Sequence, residues 1–360
     1  MFIQRRQYLK DIKRFRVSEG RDLENGLRLD RNEKVQNWES KIVKDIFDKQ
    51  PDWLLSVYPD SSKIYHLISK LHKVKEENIL LSSGIDGAIK TILEIMTSPG
   101  DLIGVLSPTY AMYKVYSELF QLELKEIEYS KSLKLDINSI LNFLTQKPTV
   151  LFLPNPNQPI EDSLGIEELR YIAQKAEESN TLFVIDEAYH YFGADSGEEL
   201  ISENKNVVIA RTFSKAFGVP SIRLGYILSN TENIEVFTST RFAHESNSLS
   251  NAVAEYLLEN MNIVEKYICE IIKTRNQLKS DLMNIGIKSR GETGNYLLLD
   301  LINENIARDF VEHLKLKKIY VKGPWKGRYS KYVTITLGPY SMMERFIKEA
   351  ELFYINQRLK

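Results

Sequence analysis

The chain has 360 residues, with 48 lysines and arginines against 49 aspartates and glutamates and a formal net charge of −1. With both signs interspersed there is no basic field for nucleic acid or a membrane surface, and no uncharged run approaches the ~20 residues of a spanning helix. A chain this long, 43% hydrophobic, buries one large core and has material for a second, smaller domain.

The amino terminus, Met1-Phe-Ile-Gln-Arg-Arg-Gln-Tyr, lacks the apolar region of a signal peptide, so a cytoplasmic location is expected. Residues 1–45 are too few to fold alone and are expected as an arm that packs on the small domain or on a partner subunit. From about residue 75, short apolar runs alternate with amphipathic stretches. Residues 78–81, 102–106, 149–153, 181–185 and 207–210 read as buried strands, while 86–96 and 165–178 place apolar residues at helical spacing. The alternation predicts an α/β fold: three layers, a mainly parallel sheet with helices on both faces, in a large domain spanning residues 46–245.

After that the texture changes. Helices at 248–259 and 263–285, a strand at 295–300, a helix at 304–316, strands at 319–322 and 332–337 and a last helix from 342 predict a smaller α+β domain over residues 246–360. Cys269 is the single cysteine, so no intrachain disulfide forms, and its place in the 263–285 helix marks it for the core rather than as a nucleophile. Five histidines without ligand spacing give no metal site.

Two segments carry chemistry. Lys215 sits in Arg211-Thr-Phe-Ser-Lys-Ala-Phe-Gly-Val-Pro-Ser-Ile-Arg-Leu-Gly-Tyr226, and an acid lies upstream in Val184-Ile-Asp-Glu-Ala-Tyr189. Each follows a strand-like run, and open α/β sheets bind ligands beyond the carboxyl ends of their strands. A Schiff-base cofactor needs an amine for its aldehyde, an anion for its pyridine nitrogen, and cationic and hydroxyl groups for its phosphate. Lys215, Asp186, and Arg223 with Thr212 and Ser214 answer those three needs, which points to pyridoxal 5′-phosphate (PLP). Gly84-Ile-Asp-Gly87 ends one strand and opens a helix, so its free amides suit a phosphate.

These segments, together with Ser107-Pro-Thr-Tyr110 and Asn155-Pro-Asn-Gln-Pro159, resemble the fold-type I, class I/II PLP-dependent aminotransferases, and within them the histidinol-phosphate aminotransferase branch. The resemblance covers nearly the whole chain. It implies phosphate binding by Ile85 and Asp86, ring stacking by Tyr110, and contact of Tyr189 with the cofactor's phenolic oxygen. An amide from the Asn155–Gln158 segment is implied at the same oxygen. The family usually shows Asn-Pro-Thr-Gly where this chain has Gln158-Pro-Ile-Glu161, which leaves the choice of amide open; Asn157 is the favoured one. Tyr58, in Val57-Tyr-Pro-Asp60, matches a tyrosine that crosses to the neighbouring subunit's cofactor phosphate, so a homodimer with shared active sites is implied.

The family's carboxylate-clamping arginine falls at Thr334 in Tyr332-Val-Thr-Ile-Thr-Leu-Gly338, and a threonine cannot replace a fork of charged donors. Lys322 stands where the branch tends to use arginine, and Arg328, Lys331 and Arg241 are candidates for the lost charge. The implied partners are a small amino donor, glutamate being common, and a small keto acceptor. The basic cluster Lys322, Lys326, Arg328 and Lys331 points to a phosphorylated or phosphonate-bearing acceptor. A PLP-dependent phospho-amino-acid decarboxylase of the threonine-phosphate type is the alternative, because the bond broken depends on a substrate angle that the residues do not set.

Overall fold

The computed structural model describes residues 7–9, 12 and 24–358. The strands are β1 (Leu27–Leu29), β2 (Ile79–Ser82), β3 (Leu102–Ser107), β4 (Glu123–Glu128), β5 (Val150–Pro154), β6 (Leu182–Asp186), β7 (Val207–Thr212), β8 (Gly225–Ser229), β9 (Lys288–Arg290), β10 (Tyr296–Asp300), β11 (Ile319–Val321) and β12 (Tyr332–Thr336). Seven of them form one sheet in the order β2-β8-β7-β6-β5-β3-β4. The pairs β4–β3–β5–β6–β7 are parallel, and β8 alone runs against its neighbours β7 and β2.

The central strands are apolar along their whole length because both faces are covered. Side chains alternate between two buried layers. Leu182 and Val184 of β6 join the layer of the helix Gly84–Met96, which buries Ala88, Ile89, Ile92 and Leu93; Phe183 and Ile185 join the layer of the helix Ile166–Glu178. Each such valine, leucine, isoleucine or phenylalanine side chain taken fully out of water stabilises the fold by roughly 1.5–3 kcal/mol before chain entropy is counted.

The carboxyl-terminal part holds the sheet β12-β10-β9 and a parallel pair, β1 with β11. One antiparallel bridge, Lys322 to Thr334, ties β11 to β12. The arm therefore supplies β1 to this part of the molecule. Its continuation joins this sheet to the large one: Asn32 takes φ +54°, its backbone N–H donates to Thr336 Oγ1 of β12 at 2.9 Å, its Nδ2 donates to Tyr189 OH at 3.0 Å, and Trp38 Nε1 donates to Gly218 O at 3.1 Å. Cys269 is a correction to the expectation above. It lies on the solvent side of the helix Met261–Asn284 and is exposed, because Val264, Tyr267, Ile268 and Ile271 take the buried stripe. No helix among the described residues is long and apolar enough to cross a membrane.

Candidate active site

The carboxyl ends of β5, β6 and β7 and the start of the helix Gly84–Met96 open on a cleft of about 680 Å³. Lys215 follows β7. Its Nζ donates to Arg31 O at 3.1 Å and stands 5.6 Å from the centre of the Tyr189 ring. The side chain remains open to the cleft, yet the protein crowded around its amine disfavours the charge and pulls its pKa down to about 8. Such an amine has an appreciable neutral, nucleophilic fraction at neutral pH.

Asp186, the last residue of β6, is buried. Loss of water pushes its carboxyl up to about 6, against two hydrogen bonds that favour the ionised form. Tyr113 OH donates to Oδ2 at 2.7 Å and Ala188 N–H donates to Oδ1 at 3.0 Å. Strand alternation sends its neighbour Glu187 to the opposite face, where Arg211 Nη2 meets Oε2 at 2.8 Å. Two adjacent acids are thereby separated: Glu187 has a buried guanidinium, and no lysine or arginine ion-pairs with Asp186 among the described residues.

At the other end of the cleft, Gly84 takes φ +69° and the first-turn amides of its helix have no intrahelical acceptor. Arg223, itself left-handed at φ +52°, brings Nη2 to 3.5 Å from Asp86 Oδ2. Tyr110 OH donates to Asp86 Oδ1 at 2.7 Å. Gly225 is required here, since a Cβ would lie 2.6 Å from Arg211 O and 2.9 Å from Gly84 Cα. Thr212 Oγ1 donates to Ser214 Oγ at 3.0 Å, and both line the cleft with Ile85 and Asp86.

The two amides of the Asn155–Gln158 segment differ. Asn157 Nδ2 donates to Pro108 O at 2.9 Å and to Tyr129 OH at 3.0 Å, and its Oδ1 accepts from Thr109 Oγ1 at 2.6 Å. Both of its N–H groups are spent on the scaffold. Gln158 also lines the cleft; its Oε1 accepts from Lys322 Nζ at 3.3 Å, and its Nε2 is buried with no partner among the described residues. A buried orphan donor beside a cleft marks a missing acceptor.

Lys322 reaches the cleft, but four other expected positions, Thr334, Arg328, Lys331 and Arg241, do not. Thr334 is 1% exposed, and its Oγ1 accepts from Trp325 Nε1 at 2.9 Å, so the indole seals it from the cleft. Arg328 donates to Tyr129 O at 2.7 Å and pairs with Glu128, while Lys331 pairs with Asp300 at 2.8 Å. Their substrate roles are corrected accordingly: strand geometry turns Thr334 inward, and local acids hold the two cations. Arg241 pairs with Glu245 at 3.0 Å and lies outside the cleft. Tyr58 is 80% exposed and stacks on His244 at 4.3 Å, away from this chain's own cleft. Sequence reasoning missed Asp30 to Glu33, which close the cleft from the arm, and Tyr113. For Tyr113 the signal was available, one helical turn after Tyr110.

An amine of lowered pKa, a buried carboxylate without a cation, an orphan amide and a helix start beside a guanidinium match the aldehyde, ring nitrogen, phenolic oxygen and phosphate of PLP. The fold and cleft define a PLP enzyme of fold type I. Comparison with known proteins agrees. The family model for aminotransferase class I and II matches residues 24–348. The histidinol-phosphate aminotransferase of Methanocaldococcus jannaschii is 30% identical over 91% of this chain and 89% of that protein. A dihydroxyacetone phosphate transaminase of Campylobacter jejuni is 28% identical over 91% and 90%. The histidinol-phosphate aminotransferase of Sinorhizobium meliloti, solved in complex with PLP, superposes with a TM-score of 0.84 at 20% identity, covering 92% of this chain and 91% of that one. The chain belongs to the class I and II aminotransferase family, and it is a PLP-dependent aminotransferase.

Proposed function

We propose that the enzyme moves an amino group from a small donor, glutamate, to a small phosphorylated or phosphonate-bearing keto acceptor. The observation that carries the substrate class is Lys322. It lines the cleft and is lowered in pKa mainly by burial, and no carboxylate lies within ion-pair distance of its Nζ among the described residues. A partly desolvated cation lining a cleft, with its ammonium open to the cleft, suits an anion on the substrate. The Campylobacter relative named for dihydroxyacetone phosphate is in keeping with such an acceptor.

Bound PLP supplies the electron sink that stabilises a carbanion at the substrate carbon. Lys215 would hold the cofactor's aldehyde through its amine, and the same Nζ, when free, would act as the base and acid that moves the substrate proton. Asp186 keeps the ring nitrogen protonated. Gln158 Nε2 and Tyr189 donate to the phenolic oxygen, a role that moves from Asn157 to Gln158. Tyr110, which lines the cleft, would cover the ring. The amides of Ile85 and Asp86, with Arg223, Thr212 and Ser214, hold the phosphate.

We infer also that the active unit is a homodimer in which Tyr58 completes the neighbouring subunit's phosphate site. Trp53, Leu55, Val57, Tyr58, Phe242 and Leu249 are all exposed, and an apolar surface of that kind marks an interface. Both inferences are tested in one single-turnover experiment at several protein concentrations. Glutamate alone should convert the holoenzyme to its pyridoxamine form without releasing carbon dioxide, and dihydroxyacetone phosphate should reverse the change. Release of carbon dioxide from a phospho-amino acid with the cofactor unchanged would identify a decarboxylase instead. Activity independent of Tyr58 in a strictly monomeric protein would remove the shared site.

A further inference from the structure

Asp186 is engaged from three sides. On its own strand end it accepts the Ala188 N–H. From the helix Met112–Phe120, Tyr113 OH occupies Oδ2 at 2.7 Å. Across the cleft stand Asp86, at the start of the helix Gly84–Met96, and Lys215. Glu187 is the nearest acid in sequence and is turned to the far face by Arg211. The charges of Glu187 and Asp86 both favour a protonated Asp186, as does burial; the hydrogen bonds from Tyr113 and Ala188 oppose them.

Tyr113 is built for that single contact. It is 1% exposed, with its ring packed on Phe152 at 5.1 Å and edge-on to Tyr110 at 6.3 Å. Burial holds its phenol neutral, hence a donor. Tyr110, three residues earlier, gives its hydroxyl to Asp86, so the two tyrosines serve carboxylates at opposite ends of the cleft.

We infer that Tyr113 is a positioning residue for the ring-nitrogen counter-ion: its hydroxyl fixes the orientation of the Asp186 carboxylate and keeps it ionised at neutral pH. The inference rests on the cofactor assignment above, but its first test does not need the cofactor. In apo protein labelled with carboxyl-¹³C aspartate, the Asp186 resonance is assigned by its loss in Asp186→Asn and titrated. Loss of a hydrogen bond to the charged form disfavours that form, so Tyr113→Phe should raise the Asp186 midpoint by about one pH unit. Tyr110→Phe, whose hydroxyl serves Asp86, should leave that midpoint where it is in the parent.

The second readout is PLP affinity against pH. Because the midpoint rises, Tyr113→Phe should lose affinity on the acid side, about fivefold near pH 6 and about tenfold below pH 5, and approach the parent above pH 8. If the phenylalanine variant does not fold, 3,5-difluorotyrosine at position 113 keeps the shape and strengthens the donor, and the midpoint should fall. An unchanged midpoint in either variant overturns the inference and leaves Tyr113 as packing alone. Failure of the parent to take up PLP would overturn the cofactor assignment instead, while the carboxyl titration would still report on Tyr113.

Discussion

Lys322 Nζ lies 3.3 Å from Gln158 Oε1, so the lysine that faces the substrate end of the cleft also holds the carboxamide whose Nε2 is left without a partner. The contact separates two adjacent amides by role. Gln158→Leu should keep the fold and lower PLP affinity, since a hydrogen bond to a charged acceptor is worth about 1.5–3 kcal/mol, or roughly ten- to a hundredfold. Asn157→Ala removes three scaffold hydrogen bonds and should instead lower thermal stability, by about 1–3 kcal/mol for the buried groups left unpaired. Equilibrium dialysis with PLP and calorimetric melting of both variants distinguish the roles. Equal losses of PLP affinity would return Asn157 to the phenolic oxygen.

The lowered Lys215 gives a pH signature. Only the neutral amine attacks an aldehyde, so covalent uptake of PLP by apo protein should quicken as pH rises to about 8, the value to which burial brings this amine, and then level off. An ordinary lysine would keep gaining toward pH 10 and beyond. Stopped-flow absorbance of PLP uptake from pH 6 to 10 measures this. Borohydride should fix the cofactor on Lys215 in the parent, as read by peptide mass, and Lys215→Ala should abolish fixation. A plateau near 10 would place the amine in solvent, contrary to its packing.

Asp186 and Arg223 should fail in different ways. Asp186→Asn keeps a polar group of the same shape but removes the buried charge, so cofactor should remain bound while turnover drops by several kcal/mol of lost transition-state stabilisation, on the order of a hundredfold or more. Arg223→Ala removes the cation proposed to hold the phosphate, a contact that would be equal before and during reaction, so its main effect should be weaker PLP binding, restored by excess cofactor. Measuring kcat at saturating PLP for both variants is decisive: if kcat falls equally, the two residues do not sit at opposite ends of the cofactor.

What was legible in the sequence follows from burial and local capping. Strands β5, β6 and β7 are covered on both faces and so read as unbroken apolar runs. The helices Ser248–Glu259 and Glu304–Leu316 were bounded correctly; Asn247 and Asn303 cap them by accepting Ser250 N–H and Ile306 N–H. Strand β4 was missed because Glu123-Leu-Lys-Glu-Ile-Glu128 is a sheet edge, where charges guard the exposed side and only Ile127 is buried. In the cleft, Lys215, Asp186 and Arg223 were readable from contiguous segments. Asp30 to Glu33 were not, since their placement depends on contacts hundreds of residues apart in sequence, such as Asn32 with Thr336; the inward turn of Thr334 was not either, since it depends on the pairing of β12 with β10 and on the Trp325 indole.

The seal on Thr334 changes what restoring the family's arginine should do. The Trp325 indole donates to Thr334 Oγ1 at 2.9 Å, and Lys322 Nζ stands 4.8 Å from the centre of the same ring. Thr334→Arg therefore places a long charged side chain into a packed, buried position. It should cost about 1–3 kcal/mol of stability from overpacking and give no gain with an α-amino acid donor. Pairing it with Trp325→Ala opens the space and should let the guanidinium reach the cleft, where a bidentate contact lowers the KM for glutamate relative to either single variant. Lys322→Met should raise the KM for the proposed phosphorylated acceptor by roughly ten- to a hundredfold, the worth of one charge-assisted hydrogen bond, with a smaller change in kcat. Steady-state kinetics with each substrate varied in turn separate these effects. If Lys322→Met alters neither KM, the substrate's anion lies elsewhere, and Arg31 on the facing arm is the next residue to replace.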